Sequence, residues 1–410
     1  MSTVIDPEVE LLVQRHDVSE PELSIVIPAL DEHLTIVDFV AWCHEGMEAA
    51  GIRGEILIID SSTDDTAELA LEHGARVLRT PKRGLGRAYI DALPHIRGRY
   101  VLMGDADCTY DFRQLGPFVE AFRNGDEFVM GSRWKGSIEE GAMPWLHQYV
   151  GTPLTTWILN RVYSSHFSDI HCGMRGITRD ALERMEISSQ SWEYASEMVL
   201  KAVHMDLRTT EVPVVFLKDR EGRLSHHKRS GWFSPFSAAW INLRAMFVYG
   251  ADFFVLRPGP VLFVIGALLT LIPTFGPVGI GGVELSLNWQ LFGLVVAIVG
   301  LEGFCFGCLA QVLFDYTGRA RRRWLRLFPY TRTVLLAMGL VVAGLAAVVP
   351  LVVRYLTDGL QLVGEVAELQ HLALTGSLLV VVGITTFVFT LLLHATAIAS
   401  HPARATEVRL

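Results

Sequence analysis

The sequence predicts an α/β domain followed by a membrane domain of four apolar helices. Three observations carry that reading. Between Leu23 and Phe216, short apolar runs alternate with segments of helical period, the pattern of a parallel sheet with helices on both faces. Half of the 410 residues are hydrophobic, and the mean hydropathy is +0.34. That excess is uneven: charged residues fill the first 230 positions, whereas long apolar runs follow Arg257.

Residues 1–22 read as an acidic lead-in, and Leu23–Ala29 (LSIVIPA) is the first buried strand, followed by Asp31 and Glu32. Ile36, Phe39, Val40 and Met47 recur at helical spacing up to Gly51. Glu55–Asp60 (EILIID) is a second strand. The turn after it, Ser61–Asp64, offers N-cap residues for a helix over Asp65–His73. Ala75–Arg79 is a third strand; a basic, glycine-broken loop (Pro81–Gly86) leads from it into a helix ending near Ile96. Tyr100–Met103 is the fourth, and it ends in Gly104-Asp105-Ala106-Asp107. Phe128–Ser132 and Glu211–Phe216 read as further strands, while Tyr149–Tyr163, Ala181–Met185 and Glu193–His204 read as helices. Asp169–Arg175 is a short polar segment containing Gly173.

Beyond residue 230, Phe233, Phe236, Trp240, Leu243 and Phe247 form one helix face beside Lys228, Arg229 and Arg244. This predicts a helix lying in a membrane interface across 231–256. The stretches 258–276, 288–314, 333–353 and 373–398 each reach the roughly 20 residues that span a bilayer. They place a four-helix membrane domain at 257–398 and leave a tail at 399–410. Arg319, Arg321, Arg322, Arg323, Arg326 and Arg332 stand between the second and third stretches, whereas 277–287 and 355–372 hold no Lys or Arg. Positive-inside counting puts that loop, the catalytic domain and both termini in the cytoplasm of a multi-pass cell-membrane protein. Met1–Glu20 lacks an apolar core, so no signal peptide is expected there. Glu302 is the main mid-span charge, and a helix-packing role is expected for it.

The net charge of −9 and a pI near 5.9 argue against nucleic acid as the natural partner. Five scattered cysteines argue against a disulfide framework, and the Cys305–Cys308 pair lacks a second pair of metal ligands.

The acidic positions suggest chemistry. Asp31–Glu32, Asp60 and Asp105/Asp107 end successive strands on one edge of the expected sheet, where ligands of open α/β sheets bind. Asp105 and Asp107 point to one face and suit a hard divalent cation, Mg²⁺ or Mn²⁺, although an acidic turn capping the next helix has the same spelling. The loop Lys82–Arg87 adds positive charge. The sum is a nucleotide-diphosphate site, without the glycine fingerprints of dinucleotide or ATP sites.

Six motifs stand in order: VIPALDE (Val26–Glu32), IIDSSTDDT (Ile58–Thr66), RGLGRA (Arg83–Ala88), DAD (Asp105–Asp107), GSR (Gly131–Arg133) and DIHCGMR (Asp169–Arg175). Together they resemble the family 2 inverting glycosyltransferases, whose fold is the GT-A nucleotide-diphospho-sugar transferase domain. The resemblance covers about residues 22–230 and is nearest to the polyprenyl-phosphate hexose synthases, such as dolichol-phosphate mannose synthase, with transmembrane helices added.

The resemblance implies a metal-dependent transfer of glucose or mannose from a UDP- or GDP-sugar to polyprenyl phosphate. It assigns Pro28, Ala29, Glu32, Asp60, Arg87 and Ala106 to the donor, with Asp105 and Asp107 holding the metal. It assigns Arg133, Arg175, Ser225 and Lys228 to the acceptor lipid phosphate, the two arginines being catalytic with the aspartates. Two departures stand out. The second-strand motif is one residue short of the usual DDGSTD, and Thr109 occupies a place where such enzymes often have Gln, leaving Asp111 or water as a substitute ligand.

A lipid phosphate is already an anionic nucleophile, so inversion at the anomeric carbon needs screening and alignment more than a base. Glu193 and Glu197, one helical turn apart, would orient sugar hydroxyls or serve as base for a hydroxyl acceptor in a glycolipid or polysaccharide synthase. The processive synthases' QxxRW motif is absent. A transporter or flippase with a regulatory soluble domain is disfavoured by the sparse mid-span charge and the lack of an inverted repeat. A homo-oligomer is compatible with every reading.

Overall fold

A computed structural model describes residues 8–14, 17–145, 147–220, 222, 250, 252–315, 317–361 and 366–399. Ser225, Lys228, residues 231–249 of the expected interfacial helix and the tail from 400 onward lie outside the described residues. Two compact units divide the chain, Met1–Tyr249 and Gly250–Leu410.

The first unit is built on strands β1 (Glu10–Leu12), β2 (Leu23–Ala29), β3 (Gly54–Asp60), β4 (Arg76–Arg79), β5 (Tyr100–Met103), β6 (Phe128–Ile138), β7 (Arg175–Thr178) and β8 (Thr209–Phe216). They form one sheet in the order β1-β4-β3-β2-β5-β7-β6-β8. β2, β3, β4 and β5 are mutually parallel. Covered on both faces, β2 and β3 are almost wholly buried, which is why they read as unbroken apolar runs. Helices α1 (Ile36–Ala49), α2 (Thr66–Glu72) and α3 (Leu85–Ala92) make the crossovers between them. α4 (Gly116–Arg123), α5 (Thr152–Tyr163, entered through a π turn at His147–Gly151), α6 (Arg179–Met185) and α7 (Tyr194–His204) follow.

The sheet differs from the parallel expectation in two places. β7 runs antiparallel to both of its neighbours, β5 and β6. Its four residues, RGIT, are too short and polar to read as a strand; double pairing at the sheet centre makes them one. The lead-in also contributes β1, antiparallel to β4, where only a loose approach was expected.

The second unit holds α8 (Pro258–Leu271), a small hairpin of β9 (Val278–Ile280) and β10 (Val283–Leu285), α9 (Leu287–Leu313), α10 (Arg319–Leu327), α11 (Tyr330–Thr357) and α12 (Ala367–Ala399). Among the described residues, four segments are long and apolar enough to cross a membrane: Phe253–Leu271, Leu287–Leu313, Tyr330–Thr357 and Ala367–Ala399. The arginine-rich loop is itself helical as α10, anchored by buried Trp324, whose Nε1 donates to Gln311 Oε1 at 2.8 Å. Glu302 is exposed on α9, which corrects the packing role expected of it. All five cysteines are free and buried.

Candidate active site

The parallel strands reverse direction of growth at β2: β3 and β4 extend one way and β5 the other. A crevice opens outside the carboxyl ends of strands at such a switch point. A cavity of about 270 Å³ occupies it, lined by Pro28 and Ala29 at the end of β2 and Leu30 and Glu32 beyond it, by Ile59 and Ser61 at the end of β3, and by Asp105, Ala106 and Asp107 after β5. Lys82, Arg83, Gly84, Leu85 and Ala88 form one wall, and Ser191 and Trp192 another.

Each loop is locked by short polar bonds. Asp31 adopts a left-handed conformation (φ 53°). Its N–H donates to Ser62 Oγ at 2.8 Å, and its carboxylate accepts from Thr63 N–H at 3.1 Å. Glu32 is buried, its N–H donating to Thr66 Oγ1 at 3.0 Å and its carboxylate accepting from Thr35. The shortened second motif thus still ties the β2 and β3 loops together. The N-cap of α2 is Asp65, which makes no side-chain cap bond; Asp64, one residue ahead of it, accepts from Thr66 N–H at 3.0 Å.

Thr109 has a clear task. Its N–H and Oγ1 donate to Asp107 Oδ1 at 3.0 and 2.6 Å, which fixes the carboxylate. Asp111 is no substitute ligand here, because it is buried against Arg113 and Gln114. Burial works against its charge, but the bonds from Arg113 outweigh that and hold its carboxyl below the usual range.

Of the donor residues expected from sequence, Pro28, Ala29, Glu32, Asp105, Ala106 and Asp107 meet at the cavity. Asp60 and Arg87 do not line it. Asp60 is buried between two lining residues; burial pushes its carboxyl up against the hydrogen bond from Ser62. Arg87 Nε donates to Asp91 at 2.7 Å, one turn along α3.

Arg133 and Arg175, expected at an acceptor phosphate, are both bonded within the protein. Arg133 Nε and Nη2 donate to Asp169 at 2.6 and 2.8 Å, a buried bidentate pair joining the GSR and DIHCGMR motifs. Arg175 is fully buried and donates to the carbonyls of Cys172 and Ala195 at 2.6 and 3.1 Å. These contacts hold the 169–175 loop against the site. Gly173 N–H donates to Tyr110 Oη at 2.8 Å, and a Cβ at Gly173 would stand 2.6 Å from Asp105 Oδ2. A side chain there would push the Asp105 carboxylate aside.

Glu197, a candidate base by sequence, has a different place. It is fully buried, ion-paired with Lys201 at 2.5 Å, and accepts from Ser188 N–H at 3.0 Å, Ser188 Oγ at 2.9 Å and Ser189 N–H at 2.8 Å. Burial opposes its charge; Lys201 and Ser189 outweigh this and keep the carboxyl below its ordinary range. The segment it fixes abuts the RGLG loop so closely that a Cβ at Gly84 or Gly86 would collide with the carbonyls of Gln190 and Ser189. Sequence reasoning missed the cavity wall at Ser191 and Trp192, because their approach to Gly84 is purely tertiary. It also missed the group His33, Asp64 and Asp65 at the start of α2, whose ligand atoms lie within 4.8 Å of one another, outside the cavity lining.

Comparison with known proteins bears on this geometry. Residues 24–185 match the family described as Glycosyl transferase family 2, and residues 310–397 match the Glycosyltransferase family 2 C-terminal transmembrane region. The Low-salt glycan biosynthesis hexosyltransferase Agl6 of Haloferax volcanii is 38% identical over 307 residues, covering 75% of this chain and 72% of that protein. The chain belongs to glycosyl transferase family 2. Glycosyltransferase AglJ of the same organism is 30% identical over 203 residues, 49% of this chain and 64% of that protein. Among solved structures, glucosyl-3-phosphoglycerate synthase from Mycobacterium tuberculosis, in complex with Mn²⁺ and uridine-diphosphate-glucose, is similar with a TM-score of 0.41 and 21% identity, over 55% of this chain and 79% of that one. This family 2 enzyme therefore carries its six motifs on a mixed sheet and is followed by a transmembrane region.

Proposed function

We propose that this enzyme transfers one hexose from a UDP- or GDP-sugar to polyprenyl phosphate at the cytoplasmic face of a membrane, in glycan biosynthesis. The observation that carries the reading is the cavity at the sheet's switch point, whose lining Asp105 and Asp107 share with Lys82 and Arg83. The hexosyltransferase named above supports the sugar class, and the four apolar helices support a lipid acceptor.

The donor set fits a divalent cation. Two hard carboxylates leave one tight turn, both line the cavity, and Thr109 orients one of them. Asp105 and Asp107 would hold Mg²⁺ or Mn²⁺, which when bound neutralises charge on the leaving diphosphate. Pro28, Ala29 and Glu32 face the nucleoside end, and Glu32 accepts hydrogen bonds there. Lys82 and Arg83 attract the diphosphate. Trp192, 46% exposed at the mouth, covers the sugar and excludes water. Arg133 and Arg175 act on the site by fixing the 169–175 loop behind Asp105, not by touching the acceptor. With Glu197 committed to Lys201, the geometry favours an acceptor that arrives already anionic over a hydroxyl that must be deprotonated.

Membranes carrying the enzyme, incubated with radiolabelled UDP-glucose or GDP-mannose, test the reading. One donor should give a labelled lipid that mild acid hydrolyses. Label in an acid-stable glycolipid would replace the phosphate acceptor with a hydroxyl one, and no labelled lipid would remove the lipid acceptor.

A further inference from the structure

Helix α5 is apolar on two opposite sides. Its inner side, Thr156, Leu159, Val162 and Tyr163, is buried in the first unit. Val150, Leu154, Trp157 and Arg161 follow at steps of four, three and four, which sets them in one outward stripe. A helix face turned to water is ordinarily polar, yet Leu154 is 52% and Trp157 65% exposed. The turn ahead of the helix adds Trp145 and Tyr149, 69% and 62% exposed, with ring centroids 5.9 Å apart. Scattered exposed hydrophobics need no explanation, whereas a contiguous aromatic patch does.

Its surroundings identify the occupant. From Gly141 to Ser168 the chain holds no Asp or Glu, although it has 44 in all. The only ionisable cationic groups in that stretch are His147, Arg161 and His166. Tryptophan and tyrosine, with an apolar body and a polar edge, suit the boundary between headgroups and acyl chains. A segment without carboxylates suits the negative potential of anionic lipid. The same chain carries four helices able to cross a bilayer, so lipid is present at high effective concentration.

We propose that the Trp145–Arg161 face of the catalytic domain docks into the headgroup layer of an anionic bilayer. This inference does not depend on the nature of the acceptor. Docking there has a consequence for the site, because α5 is wired to it. His171 of the DIHCGMR loop meets Thr155 Oγ1 at 3.0 Å, and the Asn160 side chain binds the backbone of Phe167 and the hydroxyl of Ser165. The same loop carries Gly173, which abuts Asp105. A bilayer holding α5 therefore sets the distance of the transfer cavity from the lipid surface.

Spin labels on the full-length enzyme in nanodiscs of phosphatidylglycerol and phosphatidylcholine test this. The five native cysteines are buried, so the label goes to Trp157→Cys or, as a control, to Glu120→Cys at an exposed position of α4. The label at 157 should collide with oxygen several-fold more, relative to a water-soluble nickel chelate, than the label at 120. Equal exposure to the chelate at both positions would overturn docking. Protection at 157 that persists in detergent together with a dimeric mass would overturn it in favour of a second copy. Labels at Leu154→Cys should repeat the result at 157, so that one poorly folded variant does not decide the matter.

Discussion

The two units solve burial in opposite ways. In the first, charge is taken inside and paired. Glu55 and Arg76 meet at 2.7 Å, Arg133 and Asp169 at 2.6 Å, and Glu197 and Lys201 at 2.5 Å, all nearly inaccessible to water. In the second, backbones approach each other where side chains are missing. Gly259, Gly266 and Gly300 bring α8 against α9, and a Cβ at Gly259 would stand 2.6 Å from Phe304 N. Gly344 and Gly376 do the same for α11 and α12: a Cβ at either would stand 2.5 or 2.6 Å from the other's carbonyl oxygen. A buried polar cluster there joins Gln290 to Thr270, His371 and Thr375 through side-chain and carbonyl hydrogen bonds. The lesson is physical. Water outside the first unit rewards a paired charge that fixes a loop, while lipid around the second gives apolar side chains no preference for the inside and leaves close contact to decide.

Five variants would break or sharpen this contrast. The largest effect belongs to Asp169→Ala, which leaves Arg133 buried and unpaired; chemical denaturation of the first unit should show a loss of about 3–5 kcal/mol. A loss below 1 kcal/mol would mean the pair is not a keystone. Asp107→Ala should lower turnover by about 10²–10³-fold while the melting temperature stays put, and unchanged turnover would remove the aspartate from the transfer site. In the membrane unit, Gly300→Leu forces a side chain where the α8 backbone passes and should cost about 1–3 kcal/mol, read as earlier thermal inactivation in lipid. Wild-type inactivation would show the helices part easily.

Glu197→Gln keeps the shape and removes the charge. About a tenfold rise in donor KM is expected from a loosened Ser188–Trp192 wall, the loss of a charged hydrogen bond being about 1.5 kcal/mol. A fall in kcat alone would return Glu197 to the role of base. Because the Glu197 carboxyl is held below its ordinary range, its stabilisation is present above that range and is lost as pH falls through the folded value. The Gln variant should therefore show a flatter acid limb than the wild type. Thr109→Val, the mildest, removes one bond to Asp107 and should raise the metal concentration needed for half-activity a few-fold, about 1 kcal/mol.

The membrane half and the parallel strands could be read directly because each is a local pattern: an apolar length, or a buried run closed by acidic residues. The cavity's floor, Pro28–Glu32 with Asp105–Asp107, was legible for the same reason, since parallel strands bring their ends to one edge. Three parts were not. β7 is made a strand by partners on both sides. Arg133 and Arg175 read as ligand residues by type, and their bonds to Asp169 and to the carbonyls of Cys172 and Ala195 are set only by the fold. Glu197 resembles a base until Lys201 and two serines enclose it.

By itself, then, the sequence determined what is periodic or short-range: the alternation of strands and helices, the acidic strand ends and four spans long enough for a bilayer. Only the tertiary structure decided which charged groups face the cavity and which hold it together. The reason is that a buried charge must find its partner wherever the fold supplies one, and Asp169 lies 36 residues from Arg133, beyond the reach of any pattern along the chain.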